Sequence, residues 1–223
     1  MNISKSYDFF KPESCPEKIH IIGCGAIGST LAENLVRYGI TNIVLYDFDF
    51  VSEHNIANQL YVQSDIGKLK VDALAEHLYA INPELKDVLR KQKNGYTDQR
   101  LSGYVFLCVD SIDLRRQIAT ENLYNDKIKA MFDFRMALVD GQHYGADWDN
   151  DKMKQDFINS MDFTQEEADA STPMSACNLA LSVNSTVRMV VAAGVSNFIN
   201  FVKEGKIKKI IIVNAFEHLM EAA

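Results

Sequence analysis

A doubly wound α/β fold with a mostly parallel sheet is what this chain of 223 residues predicts, and three features carry the prediction. Short apolar runs alternate with amphipathic stretches in a β-α-β rhythm. The first junction, "IHIIGCGAIGSTLAENL" at residues 19–35, spaces three glycines as G-x-G-x-x-G between a strand-like run and a helix-like one. Acidic residues then close the second and third apolar runs, at Asp47 and Asp110.

The elements follow in order. Residues 19–22 form a buried strand, and residues 26–38, with Leu31 and Leu35 on one face, form a helix. A second strand covers 42–47 ("NIVLYD") and a helix 70–82 ("KVDALAEHLYAIN"); a third strand covers 104–110 ("YVFLCVD") and a helix 113–126. A fourth strand spans 129–134. From Arg135 the rhythm changes: "LVDGQHYGADW" predicts a hairpin or a strand with its turn at Asp140-Gly141, and the polar, acidic stretch 150–175 reads as an exposed crossing loop. A long buried helix and a late strand at 208–216 give the sheet a mixed C-terminal part. The segment "NLALSVNSTVRMVVAAGVSNFINFV" carries Arg188 and four asparagines, which argues against a bilayer span.

Composition narrows the function. With 47% hydrophobic residues the chain can bury the core of one sizeable domain, and a net charge of −7 without a basic patch argues against nucleic-acid binding. The run "KEGKIKK" reads as a solvated loop. Cys15, Cys24, Cys108 and Cys177 are far apart and form no C-x-x-C pair, which suits free thiols in a reducing cytoplasm and predicts no structural zinc. The polar N-terminus, broken by Pro12 and Pro16, carries no secretory signal.

The glycine turn sets the chemistry. Gly23 supplies the backbone angle of a tight strand-to-helix turn, Gly25 lets main chain approach a phosphate, and Gly28 lets helix and strand pack closely. The N–H groups at the helix start, from Ala26 onward, then face an anion. Dinucleotide dehydrogenases, flavoproteins and some ATP-using enzymes share such a turn, so the ligand is decided elsewhere. Asp47 and Asp49 stand about 20 residues beyond it, where an acid accepts hydrogen bonds from a ribose. Asn55, Asn58 and Gln59 form an amide cluster and Lys70 opens the next helix, groups useful to a triphosphate but without a task in an NAD-dependent oxidoreductase. Asp110 arrives at the same sheet edge, either as a ligand for Mg²⁺ on phosphate oxygens or as the N-cap of the next helix. No histidine spacing suggests a metal site, and His54 reads as structural.

In combination, "GCGAIG", "DFDFV", "NIANQ", "GKLK" and "DSIDLR" make the stretch from Ile19 to about Arg116 resemble the ThiF/MoeB/HesA family, adenylating enzymes related to ubiquitin-activating enzymes. The resemblance implies one Rossmann-like adenylation domain over 1–223, with Asp47 on the ATP ribose, Lys70 on phosphate and Asp110 on Mg²⁺. It further implies a homodimer that activates the C-terminal glycine carboxylate of a small ubiquitin-like or sulfur-carrier protein. The chain departs from the family pattern where Asn58 stands in an arginine's usual place and where no arginine precedes Arg37, so either Arg135, Arg100 or an N-terminal lysine supplies the charge, or ATP is bound weakly and turned over poorly. Ser111 follows Asp110 where asparagine is usual. Cys177 falls where relatives place a cysteine that takes over the acyl group; the alternative is a small buried residue in a helix's first turn. Cys24 reads as packing, and Met153, Met161 and Met174 as contacts in a loop suited to gripping an extended tail. The missing arginines leave a non-catalytic, nucleotide- or protein-binding relative as the competing reading.

Overall fold

The computed structural model describes residues 1–171, 173–174 and 181–223. Five strands run parallel: β1 (Ile19–Ile22), β2 (Ile43–Tyr46), β3 (Arg90–Gln92), β4 (Gly103–Leu107) and β5 (Ile128–Ala137). Three more, β6 (Asp140–Asp147), β7 (Ile210–Asn214) and β8 (Leu219–Ala222), extend the sheet antiparallel. All eight form one sheet in the order β3-β2-β1-β4-β5-β6-β7-β8, mostly parallel with a mixed C-terminal end as the sequence predicts.

Alternation along the central strands sends side chains to two layers. Ile19, Ile21, Phe106, Phe132 and Phe134 pack with α1 (Ala26–Arg37), α2 (Lys70–Ile81) and the long helix α7 (Asn184–Glu204). Ile22, Val105, Leu107 and Met131 pack with α4 (Ile112–Glu121) and α5 (Asp151–Asn159) on the other face. Ile27, Leu31 and Leu35 recur along α1 at helical spacing and are buried, which makes that stretch a core helix. α7 is long and apolar enough for a membrane span by length and composition. In this fold its Val187, Val190, Val191 and Phe198 are buried against the sheet, and it stops at Gly205, whose left-handed backbone (φ 65°) ends the helix.

Four details depart from the sequence reading. The stretch 150–175 is not a plain loop, since it forms α5 and α6 (Gln165–Ser171), with α3 (Leu85–Val88) a further short helix upstream. Asn150 caps α5 by accepting from the Met153 N–H (3.1 Å), and Phe157 anchors it edge-on to Trp148. The stretch is amphipathic but polar on average, with Phe157 its one buried residue, so its composition reads as loop. The hairpin turns at Leu138-Val139 rather than Asp140-Gly141, with Leu138 taking the left-handed position (φ 47°). Gly141 sits inside β6 because a Cβ there would fall 2.8 Å from the Val190 Cβ of α7. β3 and β8 were also missed: "RKQ" is polar, and β8 is exposed along its whole length.

Two buried histidines make the fold acid-sensitive. His20 binds the Tyr46 hydroxyl through Nδ1 (2.7 Å), while its Nε2 accepts from the Ser102 N–H (3.4 Å), an arrangement that needs a neutral ring. Burial pushes its pKa down from 6.5 to about 4, and that of His143 to about 3. The unfolded rings take up protons below pH 6.5 and the folded ones do not, so stability present above that pH is lost as pH falls toward 4. The thermal midpoint should therefore drop between pH 6.5 and 4, and His143→Gln should flatten the profile; equal slopes in wild type and variant would refute the assignment.

Candidate active site

The sheet order reverses between β1 and β4, because β2 and β3 lie to one side of β1 and β4 and β5 to the other. Loops leaving the C-terminal ends of strands diverge at such a point and open a crevice. A cleft of about 960 Å³ lies here, floored by the glycine turn between β1 and α1.

The turn is built as its spacing requires. Gly23 has φ 97°, and a Cβ on it would lie 2.6 Å from the Cys108 carbonyl oxygen at the end of β4. A Cβ on Gly28 would collide with the Gly23 carbonyl, so that glycine closes the turn on itself. In front of Gly25 there is nothing within 4 Å of a Cβ, and α1 starts without a side-chain cap. Its first N–H groups thus face open cleft, which fits an anionic ligand. Gly23, Gly25 and Ala26 line the cleft and Gly28 lies behind it. Cys24 is fully buried with its thiol pKa raised well above 9.0, first by burial and then by Asp47, so it is inert packing.

Asp47 locks this turn to the loop after β2. Its Oδ2 accepts from the Cys24 N–H (2.7 Å) and its Oδ1 from the Asp49 N–H (2.8 Å). Burial is the largest influence on its pKa and raises it, against those two hydrogen bonds and nearby Lys70. Each oxygen keeps a second lone pair for a ligand hydroxyl. Lys70, the first residue of α2, is buried beside the cleft with its Nζ on the Asp49 Oδ2 (2.8 Å). The pairing of two residues read separately as ligand contacts is a tertiary fact that spacing does not reveal.

The amide cluster divides. Asn58 and Gln59 line the cleft, with the Asn58 amide donating to the Ser182 hydroxyl (2.8 Å) across it. Asn55 does not reach it: its Oδ1 accepts from the backbone N–H and the hydroxyl of Ser52, both at 3.0 Å, and holds the short 3-10 turn Glu53–Ala57. Asp110 stands three residues past the end of β4, exposed, in the cleft, and without a hydrogen bond or ion pair among the described residues. The cap of α4 is Ser111, whose hydroxyl accepts from the Leu114 N–H (3.2 Å), so the capping reading of Asp110 is corrected and its carboxylate is left for other use. Cys177 lies outside the described residues.

The far wall was less legible. Arg115, on α4, reaches Asp133 (2.8 Å) and the carbonyls of Val109 and Phe134. Arg135, at the end of β5, takes the other oxygen of the same carboxylate (2.7 Å). The sequence marks Arg115, five residues past Asp110, and offers Arg135 as one of several cations; it does not show that they share a partner. Arg100 does not line the cleft. No group of three or more His, Cys, Asp or Glu residues converges as a metal cage among the described residues. A divalent ion at Asp110 would therefore have to be held jointly with phosphate oxygens, and an exposed carboxylate lining the same cleft as the uncapped start of α1 fits that role.

A family model described as ThiF family matches residues 15–215. The chain belongs to the ThiF family. Among curated relatives, ubiquitin-like modifier-activating enzyme 5 of Drosophila willistoni is 34% identical over 86 residues, which is 39% of this chain and 20% of that protein. The aligned part thus spans about a fifth of that relative's length. Among solved structures, E. coli MccB with ATP superposes with a TM-score of 0.71 at 16% identity, covering 95% of this chain and 65% of MccB. PaaA gives 0.71 at 15%, covering 99% and 68%. At such identities these two show the ThiF member's fold alone.

Proposed function

We propose that this chain uses Mg·ATP to adenylate the C-terminal glycine carboxylate of a small ubiquitin-like or sulfur-carrier protein. ThiF membership supports adenylation of a ubiquitin-like or peptide substrate at the level of the family and weighs against the oxidoreductase alternative. The observation that carries the reading is the convergence, at one sheet edge, of an uncapped helix start, Asp47, Lys70 and an unpartnered Asp110.

In the reaction, a carboxylate oxygen attacks the α-phosphorus, the bond to the β-phosphate breaks, and pyrophosphate leaves with its electron pair. A carboxylate is already ionised at neutral pH, so no general base is needed. The residues instead orient and neutralise: the glycine turn and the α1 start hold phosphate through N–H groups, Asp47 takes the ribose hydroxyls, and Lys70 turns from Asp49 to phosphate. Asp49, Asn58 and Gln59 frame the same half of the cleft. Five carboxylates (Asp47, Asp49, Asp110, Asp140 and Asp169) line the cleft against three cations, Lys70, Arg115 and Arg135. That surplus of negative charge is what calls for Mg²⁺ with the triphosphate, Asp110 being the residue to hold it. When bound, the metal would offset the charge that builds on the leaving pyrophosphate.

The proposal includes a homodimer, a cytoplasmic location and no role for membrane or nucleic acid. On the sequence alone it also includes transfer of the acyl group to the Cys177 thiolate, forming a thioester and releasing AMP. The test is isotope exchange between pyrophosphate and ATP in the presence of small proteins ending in glycine. Exchange that depends on such a protein and on Mg²⁺ is expected. ATP binding without exchange across a wide panel would favour the non-catalytic reading, to which one observation lends weight: Asn58, where the family has a cation, spends its amide on Ser182.

A further inference from the structure

The far wall of the cleft sets two cations on one carboxylate, although the cleft as a whole is lined by more carboxylates than cations. Asp133 is fully buried and stands between two guanidinium groups, Arg115 (9% exposed) and Arg135 (13%). Among the described residues no other carboxylate lies within 4 Å of either group. One carboxylate against two guanidiniums makes this wall locally positive within a cleft whose other charges are mainly negative, and a locally positive, poorly solvated patch suits an anionic partner.

The two arginines differ in what they can offer. Arg115 is drawn back into the protein by the Val109 and Phe134 carbonyls as well as Asp133. Arg135 is held by its edges: Nε on Asp133 (2.7 Å), Nη1 on the Ser160 carbonyl (2.6 Å) and Nη2 on the Ser160 hydroxyl (2.9 Å). Its flat face lies 4.2 Å from the centre of the Tyr144 ring. Those three bonds engage one N–H on each nitrogen of the guanidinium, which leaves one free N–H on Nη1 and one on Nη2, on different edges, on a residue lining the cleft.

Position says which anion. Lys70, Asn58 and Gln59 stand on the glycine-turn side, following β2 and α1, where a triphosphate has its donors. Arg135 leaves β5, two strands from β1 and about 10 Å across the sheet, with the Asp110 loop between. We infer that Arg135 receives the substrate's terminal carboxylate and holds it on the side of Asp110 opposite the phosphate donors. This rests on the adenylation reading and adds to it the residue that recognises the acyl end. With Asp133 and Ser160 already on its forked edges, Arg135 offers a carboxylate its charge and a single charge-assisted hydrogen bond, and the clamp of Asp133, Ser160 and Tyr144 fixes the direction of that donor beforehand.

The test uses the full chain saturated with Mg²⁺ and the non-hydrolysable ATP analogue AMPCPP, offered pools of random hexapeptides ending in Gly-Gly, either as free acids or as C-terminal amides. Wild type should retain the acid pool at least about tenfold better than the amide pool. Arg135→Gln should lose that preference while binding AMPCPP as wild type does, and Arg135→Lys should keep part of it. A preference that survives Arg135→Gln, or none in wild type, overturns the inference. Should Arg135→Gln fail to fold, Arg135→Lys decides, and an undiminished preference there overturns it. Wild type that binds no AMPCPP sinks the adenylation reading and this inference together, whereas the other failures touch Arg135 alone.

Discussion

Replacing Asp110 with alanine should lower Mg²⁺-dependent ATP–pyrophosphate exchange about a thousandfold, the rate equivalent of the several kcal/mol that a phosphate-bound cation contributes. The fold should not register the change. Asp110 is exposed, makes no hydrogen bond or ion pair among the described residues, and leaves the capping of α4 to Ser111. Surface substitutions of that kind move stability by only about 0.5 kcal/mol either way. A matched loss of exchange and thermal stability would mean a structural role, and unchanged exchange would remove the metal from Asp110. Asp110→Asn sharpens the point, because it keeps the shape and removes only the charge.

The contrast between Asp110 and its neighbours shows what a sequence can carry. β1, α1, β2 and α2 were legible to within a residue or so, since each is a short apolar run or amphipathic stretch bounded by polar residues or glycine. The glycine turn was legible because its backbone demands are local: φ 97° at Gly23 and the contact of Gly28 with the Gly23 carbonyl both arise within six residues. β3 was not, because its three residues are polar and owe their strand to pairing with β2. Gly141 misled for a related reason: it looks like a turn residue, yet it is small to admit Val190 from a helix some fifty residues on. In the site, Asp47 and Lys70 came from spacing, but the engagement of Lys70 by Asp49, the inward turn of Asn55, and the sharing of Asp133 depend on elements far apart in sequence.

Asp133 is where the largest effect on stability is expected. It is fully buried, with one oxygen on Arg115 and the other on Arg135. Asp133→Ala would leave two guanidiniums in a poorly solvated wall facing each other without an anion. Breaking a buried pair by removing one partner costs about 3–5 kcal/mol, a large share of the stability of an ordinary domain. Urea unfolding should show that loss as a lower midpoint. If the penalty is stranded charge rather than lost packing, removing one guanidinium as well should return part of it, so Asp133→Ala with Arg135→Gln should be more stable than Asp133→Ala alone. That ordering runs against simple addition of two destabilising changes and isolates the electrostatic part. A loss under about 1 kcal/mol for Asp133→Ala, or strictly additive costs in the double variant, would mean that water reaches the wall and screens it. The locally positive patch assigned to the carboxylate end of the cleft would then disappear with it.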